Sequence, residues 1–265
     1  MASESATISS NKIDQRFDGL RSAKRKALVC YITAGHPDRA RSLDLMKGLE
    51  DAGADVLEIG VPFSDPIADG PVIQQSSQEA LAAGMTLGGA LELVADAGLE
   101  IPVVLFSYLN PLLAGGDGIL ARARDAGVDG VLVTDLPVGA DSERERWLGS
   151  SDLAFIRLVA PTTPFERMQE IARNGSGFVY LISRLGVTGA QRNLAADLPE
   201  TASRLRAATD LPVCVGFGVS DASHARAAAE VADGVVVGSA IVRAAAERIE
   251  NAFSLARTLR SALDS

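Results

Sequence analysis

The chain has 265 residues, 47% of them hydrophobic and 22% charged, enough for a sizeable core in one large barrel or two small domains. Its 25 Lys and Arg against 34 Asp and Glu leave a formal net charge of -9. That argues against a nucleic-acid or anionic-membrane surface as the main partner, since both need a basic footprint. Two cysteines in apolar runs, Cys30 and Cys214, read as buried thiols in a reducing compartment, and two histidines, His36 and His224, cannot build a His-rich metal site.

Met1 to Ser10 is small and polar, without the apolar segment of a secretory signal, so residues 1–10 read as a flexible N-terminal tail. No apolar run reaches the roughly 20 residues of a membrane span, and the expected location is cytoplasmic. Residues 10–22 form an expected extra helix. Eight apolar runs follow, at 27–33, 55–60, 101–106, 128–133, 153–159, 177–182, 211–215 and 233–237. They are rich in Val, Ile and Leu, as in strands covered on both faces of a parallel sheet. The intervening segments, 38–52, 74–97, 116–126, 139–149, 163–174, 195–208, 220–230 and 241–262, are long enough for crossover helices.

A short pattern recurs before three of the strands: Ala52-Gly53-Ala54-Asp55, Ala126-Gly127-Val128-Asp129 and Val231-Ala232-Asp233. Each reads as a helix end, a tight turn and a strand start. With no linker or composition break, residues 11–265 read as one catalytic domain. The fold class is α/β, a single (β/α)8 TIM barrel with an extra N-terminal helix. A doubly wound open sheet is the alternative, because periodicity does not report closure.

In such a barrel the chemistry sits at the C-terminal ends of the strands. Along the second strand, alternation puts Leu57 and Ile59 toward the helices and Val56, Glu58 and Gly60 toward the barrel axis. An inward carboxyl near the mouth is costly to bury, and burial tunes it for acid/base work. The next loop, Val61 to Pro71, carries Asp65 and Asp69, for which turn chemistry and catalysis are both open. Residues 184–193 have the composition of a lid. Gly216-Phe217-Gly218 and Gly238-Ser239 present glycines just before helices, where barrels of this kind hold phosphate. The first resembles a dinucleotide fingerprint, but Asp221 stands where the third glycine belongs. His36 reads as a solvated turn residue, His224 as exposed, and Trp147 as packed outside the barrel.

These motifs carry a family resemblance. Leu57-Glu58-Ile59-Gly60-Val61-Pro62-Phe63-Ser64-Asp65-Pro66-Ile67-Ala68-Asp69-Gly70-Pro71 resembles the signature of the tryptophan synthase alpha chain. Tyr180 to Gly189 is similar to that family's lid strand and loop, and Gly216 to Ser220 and Gly238 to Val242 to its phosphate loops. The resemblance runs from about residue 12 to the C-terminus. It implies a lyase of L-tryptophan biosynthesis that cleaves indole-3-glycerol phosphate to indole and glyceraldehyde 3-phosphate. It also implies a beta chain partner in an αββα complex, with pyridoxal phosphate on the beta chain and no cofactor in this chain. By motif, Glu58 and Asp69 are catalytic; Tyr180, Tyr31, Phe106, Phe217 and Thr188 hold the substrate; Gly189, Gly218, Gly238 and Ser239 hold its phosphate. Tyr31 stands where many relatives carry Phe, and His36 where some carry Asp.

The residue inventory suits this chemistry independently. A Schiff-base aldolase needs a lysine at a strand end, and the only lysines, Lys12, Lys24, Lys26 and Lys47, precede the second strand. Carbon–carbon cleavage then has to rest on carboxylates, which suffices when the leaving carbon becomes a neutral aromatic such as indole. Two other readings stay open: another phosphate-binding barrel isomerase or epimerase, and a non-catalytic regulatory subunit. The Pro62 to Pro71 loop, Asn110-Pro111 and Asp135-Leu136-Pro137 form the expected docking rim for a partner.

Overall fold

The structure is a computed structural model that describes residues 11–182, 198–216 and 218–265. The expected tail at 1–10 and the expected lid at 184–193 lie outside the described residues.

Eight parallel strands, β1 (Ala27–Thr33), β2 (Val56–Gly60), β3 (Val103–Ser107), β4 (Gly130–Val133), β5 (Ala154–Val159), β6 (Val179–Ile182), β7 (Val213–Gly216) and β8 (Gly234–Val237), pair in chain order. β8 returns to β1, with Ala27 opposite Gly234, so the sheet is a closed barrel and not an open one. The described helices are α1 (Lys12–Ser22), α2 (Arg39–Asp51), α3 (Pro71–Ala82), α4 (Leu87–Ala97), α5 (Leu109–Ala114), α6 (Ile119–Asp125), α7 (Ser142–Gly149), α8 (Phe165–Arg173), α9 (Leu198–Ala208), α10 (Ala222–Val231), α11 (Ser239–Glu247) and α12 (Ile249–Leu263). Among the described residues no single helix is long and apolar enough to cross a membrane.

Two expected helices are each a pair. The 74–97 segment breaks at Gly84, whose φ of 85° is costly for other residues, and Thr86 restarts the helix by accepting from the Gly89 N–H at 3.1 Å. The 241–262 segment breaks at Arg248, which is extended at φ -160° and ψ 135°. Helix α5 was not expected, because six residues hold too little periodicity to be read.

Alternation along the strands builds two apolar layers. Leu28, Cys30, Ile32, Leu57, Ile59 and Leu105 face the helices. Val29, Val56, Val104, Leu132, Ile156 and Cys214 fill the barrel, together with Ile13, Phe17 and Leu20 of α1. That extra helix therefore seals the N-terminal end of the barrel. Phe17 meets Phe178 with ring centroids 5.6 Å apart, and the missing side chain of Gly130 admits Ile13, whose Cδ1 would lie 2.8 Å from an added Cβ.

The recurring αβ corner has a physical function. Asp55 accepts from the Leu28 N–H at 2.8 Å, Asp129 from the Val103 N–H at 2.9 Å and Asp233 from the Val213 N–H at 2.9 Å. The backbone N–H of each returns a bond to the carbonyl of the same strand residue, at 2.8 Å in all three. Each aspartate thus closes the unpaired start of the preceding strand. Ser176 does the same for Phe155, its hydroxyl accepting at 2.8 Å. Asp55 also meets Arg260 of α12 at 2.7 Å, which ties the last helix to the N-terminal face of the barrel.

Candidate active site

Glu58 lies mid-strand on β2, opposite Tyr31 of β1 and Val104 of β3. Its neighbours Leu57 and Ile59 sit in the outer layer, so its side chain faces the axis as alternation requires. It is 1% exposed, and its Oε1 has no hydrogen-bond partner among the described residues. Burial without a counter-charge pushes its carboxyl up to about 8, which favours the protonated form at neutral pH.

Asp69 comes from the loop between β2 and α3. Its N–H donates to the Pro66 carbonyl at 3.1 Å, and the Gln74 amide donates to the Asp69 and Pro66 carbonyls at 2.9 and 3.3 Å. Pro71, at the start of α3, stiffens the exit. The carboxylate is reached by Tyr108, whose hydroxyl donates to Asp69 Oδ2 at 3.1 Å and accepts from the Ala68 N–H at 2.9 Å. Burial raises the Asp69 carboxyl, and this donated bond opposes the rise by favouring the ionised form. Asp65, by contrast, is exposed and held by the Ser64 hydroxyl at 2.6 Å, so the turn reading applies to it. Sequence reasoning passed over Tyr108. The available signal was an aromatic with a polar tip directly after a strand end, on the functional face.

Glu58 and Asp69 open on one cavity of about 540 Å³, within the range of roughly 300–1,000 Å³ typical of small-molecule sites. Tyr31, Phe106 and Tyr180 form its aromatic wall, with Tyr31 edge-on to Phe106 at 5.2 Å. Two strand-end glycines make room for the tyrosines. A Cβ on Gly60 would lie 2.0 Å from the Tyr31 hydroxyl, and one on Gly216 would lie 2.2 Å from the Tyr180 hydroxyl.

Gly218, Gly238 and Ser239 line the same cavity from the ends of β7 and β8. The two loops differ. Helix α10 is capped by Asp221, which accepts from the Ser223 and His224 N–H groups at 2.9 and 3.0 Å, so the residue that interrupts the dinucleotide fingerprint is a helix cap. Helix α11 starts at Ser239 with no side-chain cap. The remaining candidates, Phe217, Thr188 and Gly189, lie outside the described residues.

The lysines stand away from the cavity. Lys12 donates to the Leu99 and Ile101 carbonyls at 3.1 and 3.2 Å and Lys26 to the Ala232 carbonyl at 2.7 Å, all at the closed end of the barrel. Lys24 and Lys47 are exposed. The expectation of a solvated His36 is corrected: it is 4% exposed, because its loop seats the ring against α3, where Nε2 meets Glu79 Oε2 at 3.0 Å. His224 is partly covered and lies 3.1 Å from Asp221 Oδ2.

Fold and site together define a closed (β/α)8 barrel whose cavity, at the C-terminal ends of the strands, holds a buried carboxyl against an aromatic wall. The sequence profile described as "Tryptophan synthase alpha chain" matches residues 17–263. The tryptophan synthase alpha chain of Desulfatibacillum aliphaticivorans is 49% identical over 242 residues, covering 90% of this chain and 91% of that protein. That of Laribacter hongkongensis is 48% identical, covering 96% and 99%. Among solved structures, tryptophan synthase subunit alpha from Legionella pneumophila superposes with a TM-score of 0.87 at 36% identity, covering 97% and 99%. Tryptophan synthase from M. tuberculosis in its aminoacrylate-bound form gives 0.86 at 32%, covering 96% and 100%. The chain belongs to the tryptophan synthase alpha chain family, the indole-3-glycerol phosphate lyase half of tryptophan synthase. It is a lyase of tryptophan biosynthesis, and its family works with a beta chain.

Proposed function

We propose that Glu58 and Asp69 share the cleavage of indole-3-glycerol phosphate between them. The observation that carries this division is the buried Glu58 carboxyl, whose Oε1 has no hydrogen-bond partner among the described residues, in the same cavity as a carboxylate held by a tyrosine hydroxyl. Protonated Glu58 gives its proton to indole C3. The positive charge that results rests on the indole nitrogen, and ionised Asp69 accepts the N–H and stabilises it. Glu58, now a carboxylate, takes the proton of the glycerol hydroxyl next to the scissile bond. The carbon–carbon bond breaks, its electron pair restores the aromatic ring, and the hydroxyl carbon becomes the aldehyde of glyceraldehyde 3-phosphate. Glu58 gives one proton and takes one, so it ends as it began.

Tyr31, Phe106, Tyr180, Phe217 and Thr188 hold the substrate in this reading, and Gly189, Gly218, Gly238 and Ser239 its phosphate. Pyridoxal phosphate belongs to the beta chain, and this chain carries no cofactor; none of its lysines reaches the cavity to form a Schiff base. The complex is αββα and cytoplasmic. Its docking rim is the mouth, where Asp65, Ile67, Asn110, Asp135 and Pro137 are exposed. Ile67, at 86% exposure, is a large apolar side chain in water two residues from Asp69. Pro62 is buried and supports the loop from beneath.

The test is to incubate the pure chain with indole-3-glycerol phosphate and measure indole. Release of indole is expected. An isomerised or epimerised sugar phosphate without indole would overturn the reading, as would ligand binding without turnover in the presence of a beta chain.

A further inference from the structure

One cationic side chain lines the cavity among the described residues, and neither the sequence reading nor the family motifs assigned it. Arg243 lies four residues after Ser239 on α11, so the two share a helix face, and both border the cavity. Arg243 is exposed and makes no ion pair or hydrogen bond with a described residue. Among the described residues the only acidic side chains lining the cavity are Glu58 and Asp69, which come from β2 and the loop after it. β1 separates β2 from β8, so the acidic and basic groups enter from different sectors of the barrel.

We propose that Arg243 is the binding residue that makes this cavity selective for phosphorylated indoles, by supplying a side-chain counter-charge to the substrate phosphate beside Ser239. The inference rests on the reading of the cavity as an indole-3-glycerol phosphate site and extends it to the origin of selectivity. The physical need is plain. A phosphate dianion approaches a chain of net charge -9 and enters a cavity whose reacting end is acidic. Backbone N–H groups at a helix start offer partial charge only, whereas a guanidinium offers a full charge and a fork that matches phosphate oxygens. An arginine at the rim with no partner among the described residues also breaks no pair with them when it turns to the ligand. It orients the substrate with its phosphate toward α11 and its indole toward the carboxyls.

The phosphate carries the same charge before and during bond cleavage, so this contact acts on ground and transition states alike. It belongs in KM and kcat/KM, and kcat moves far less. Because Arg243 is exposed, its effect is screened by salt.

The experiment compares the full chain with Arg243→Gln and Arg243→Lys variants. It measures indole release at low and high salt and calorimetric binding of glycerol 3-phosphate and of indole. Arg243→Gln is expected to raise KM and weaken glycerol 3-phosphate binding by roughly three- to tenfold at low salt, with the gap closing at high salt. Indole affinity holds, and Arg243→Lys recovers most of the loss. An exposed helix position tolerates these changes, and circular dichroism confirms the fold. Unchanged glycerol 3-phosphate affinity and salt dependence in Arg243→Gln would overturn the proposal. A parent chain that neither releases indole nor binds glycerol 3-phosphate would instead overturn the underlying reading of the cavity.

Discussion

The Tyr108 hydroxyl sits between Asp69 and the backbone of its own loop, donating to Asp69 Oδ2 at 3.1 Å and accepting from the Ala68 N–H at 2.9 Å. One side chain from the end of β3 thus holds the carboxylate in place and favours its ionised form against the opposing effect of burial. Tyr108→Phe removes the donor and leaves the ring tilted against Phe63, with centroids 5.0 Å apart. The bond favours the ionised carboxylate, so its loss raises the Asp69 pKa. The acidic limb of the kcat profile then moves to higher pH, and kcat falls by roughly 5- to 30-fold, about 1–2 kcal/mol. An unmoved acidic limb would separate Tyr108 from the charge state of Asp69.

Glu58→Gln removes the proton carrier and keeps the shape. General acid/base groups contribute roughly 10²- to 10⁴-fold, and a loss of that size in kcat is expected with the fold intact. Turnover within a few-fold of the parent would refute the assignment.

The same variant reads out stability. The Glu58 carboxyl stands near 8 in the folded chain against an ordinary 4.5. Between these values the folded state holds a proton that the unfolded state has released. Glu58 therefore contributes full stability below pH 4.5, and that contribution is lost as pH rises through about 8. The loss is on the order of a few kcal/mol. Denaturant midpoints of the parent should fall across this range more steeply than those of Glu58→Gln. Parallel curves would mean that the carboxyl titrates normally.

Asp69→Asn replaces a charge with a dipole at the nitrogen that becomes positive. A charge-assisted contact in a dry site is worth ~2–4 kcal/mol, so kcat should fall by roughly 30- to 1,000-fold. If only KM rises, Asp69 serves in binding alone.

Gly238 offers a clean probe of the loop after β8. An added Cβ would meet Tyr31 at 3.5 Å, an ordinary contact, so Gly238→Ala folds normally. Affinity for a phosphorylated ligand is expected to drop at least several-fold while indole binding holds, because the methyl crowds the approach to the helix start. Gly218 is a poorer probe, since its φ of 81° would strain other residues whatever they touched. Equal weakening of both ligands, measured by calorimetry, would count against a phosphate role for Gly238.

A matched beta chain is expected to raise indole release by at least about tenfold, by ordering the Asp69 loop. Ile67→Ser, at the exposed tip of that loop, should reduce the rise more than the basal rate. Gel filtration and indole assays check both, and a chain that is fully active alone and elutes unchanged would refute the coupling.

Much of the architecture was legible because strand and helix periods are local. Doubly covered strands read as continuous apolar runs, and Leu57 and Ile59 against Glu58 announced which way the carboxyl points. The interruptions at Gly84 and Arg248 were harder. At Gly84 one backbone angle turns the chain, and the helical pattern continues across it. At Arg248 the residue type gives no sign of the extended backbone it adopts.

The sequence by itself determined the alternation of eight strands with helices, the inward face of β2, and the motif that joins Glu58 to Asp69. These follow from spacing along one short stretch, where backbone geometry alone says which side chains share a face. Only the tertiary structure decided closure, with Ala27 beside Gly234, and the meetings that closure creates. Tyr108 reaches Asp69 across 39 positions, His36 reaches Glu79 across 43, and Arg243 enters the cavity of Glu58 from the far end of the chain. Such contacts depend on strand register and barrel curvature, which no local pattern encodes, because they arise when all eight strands have paired and the last has found the first.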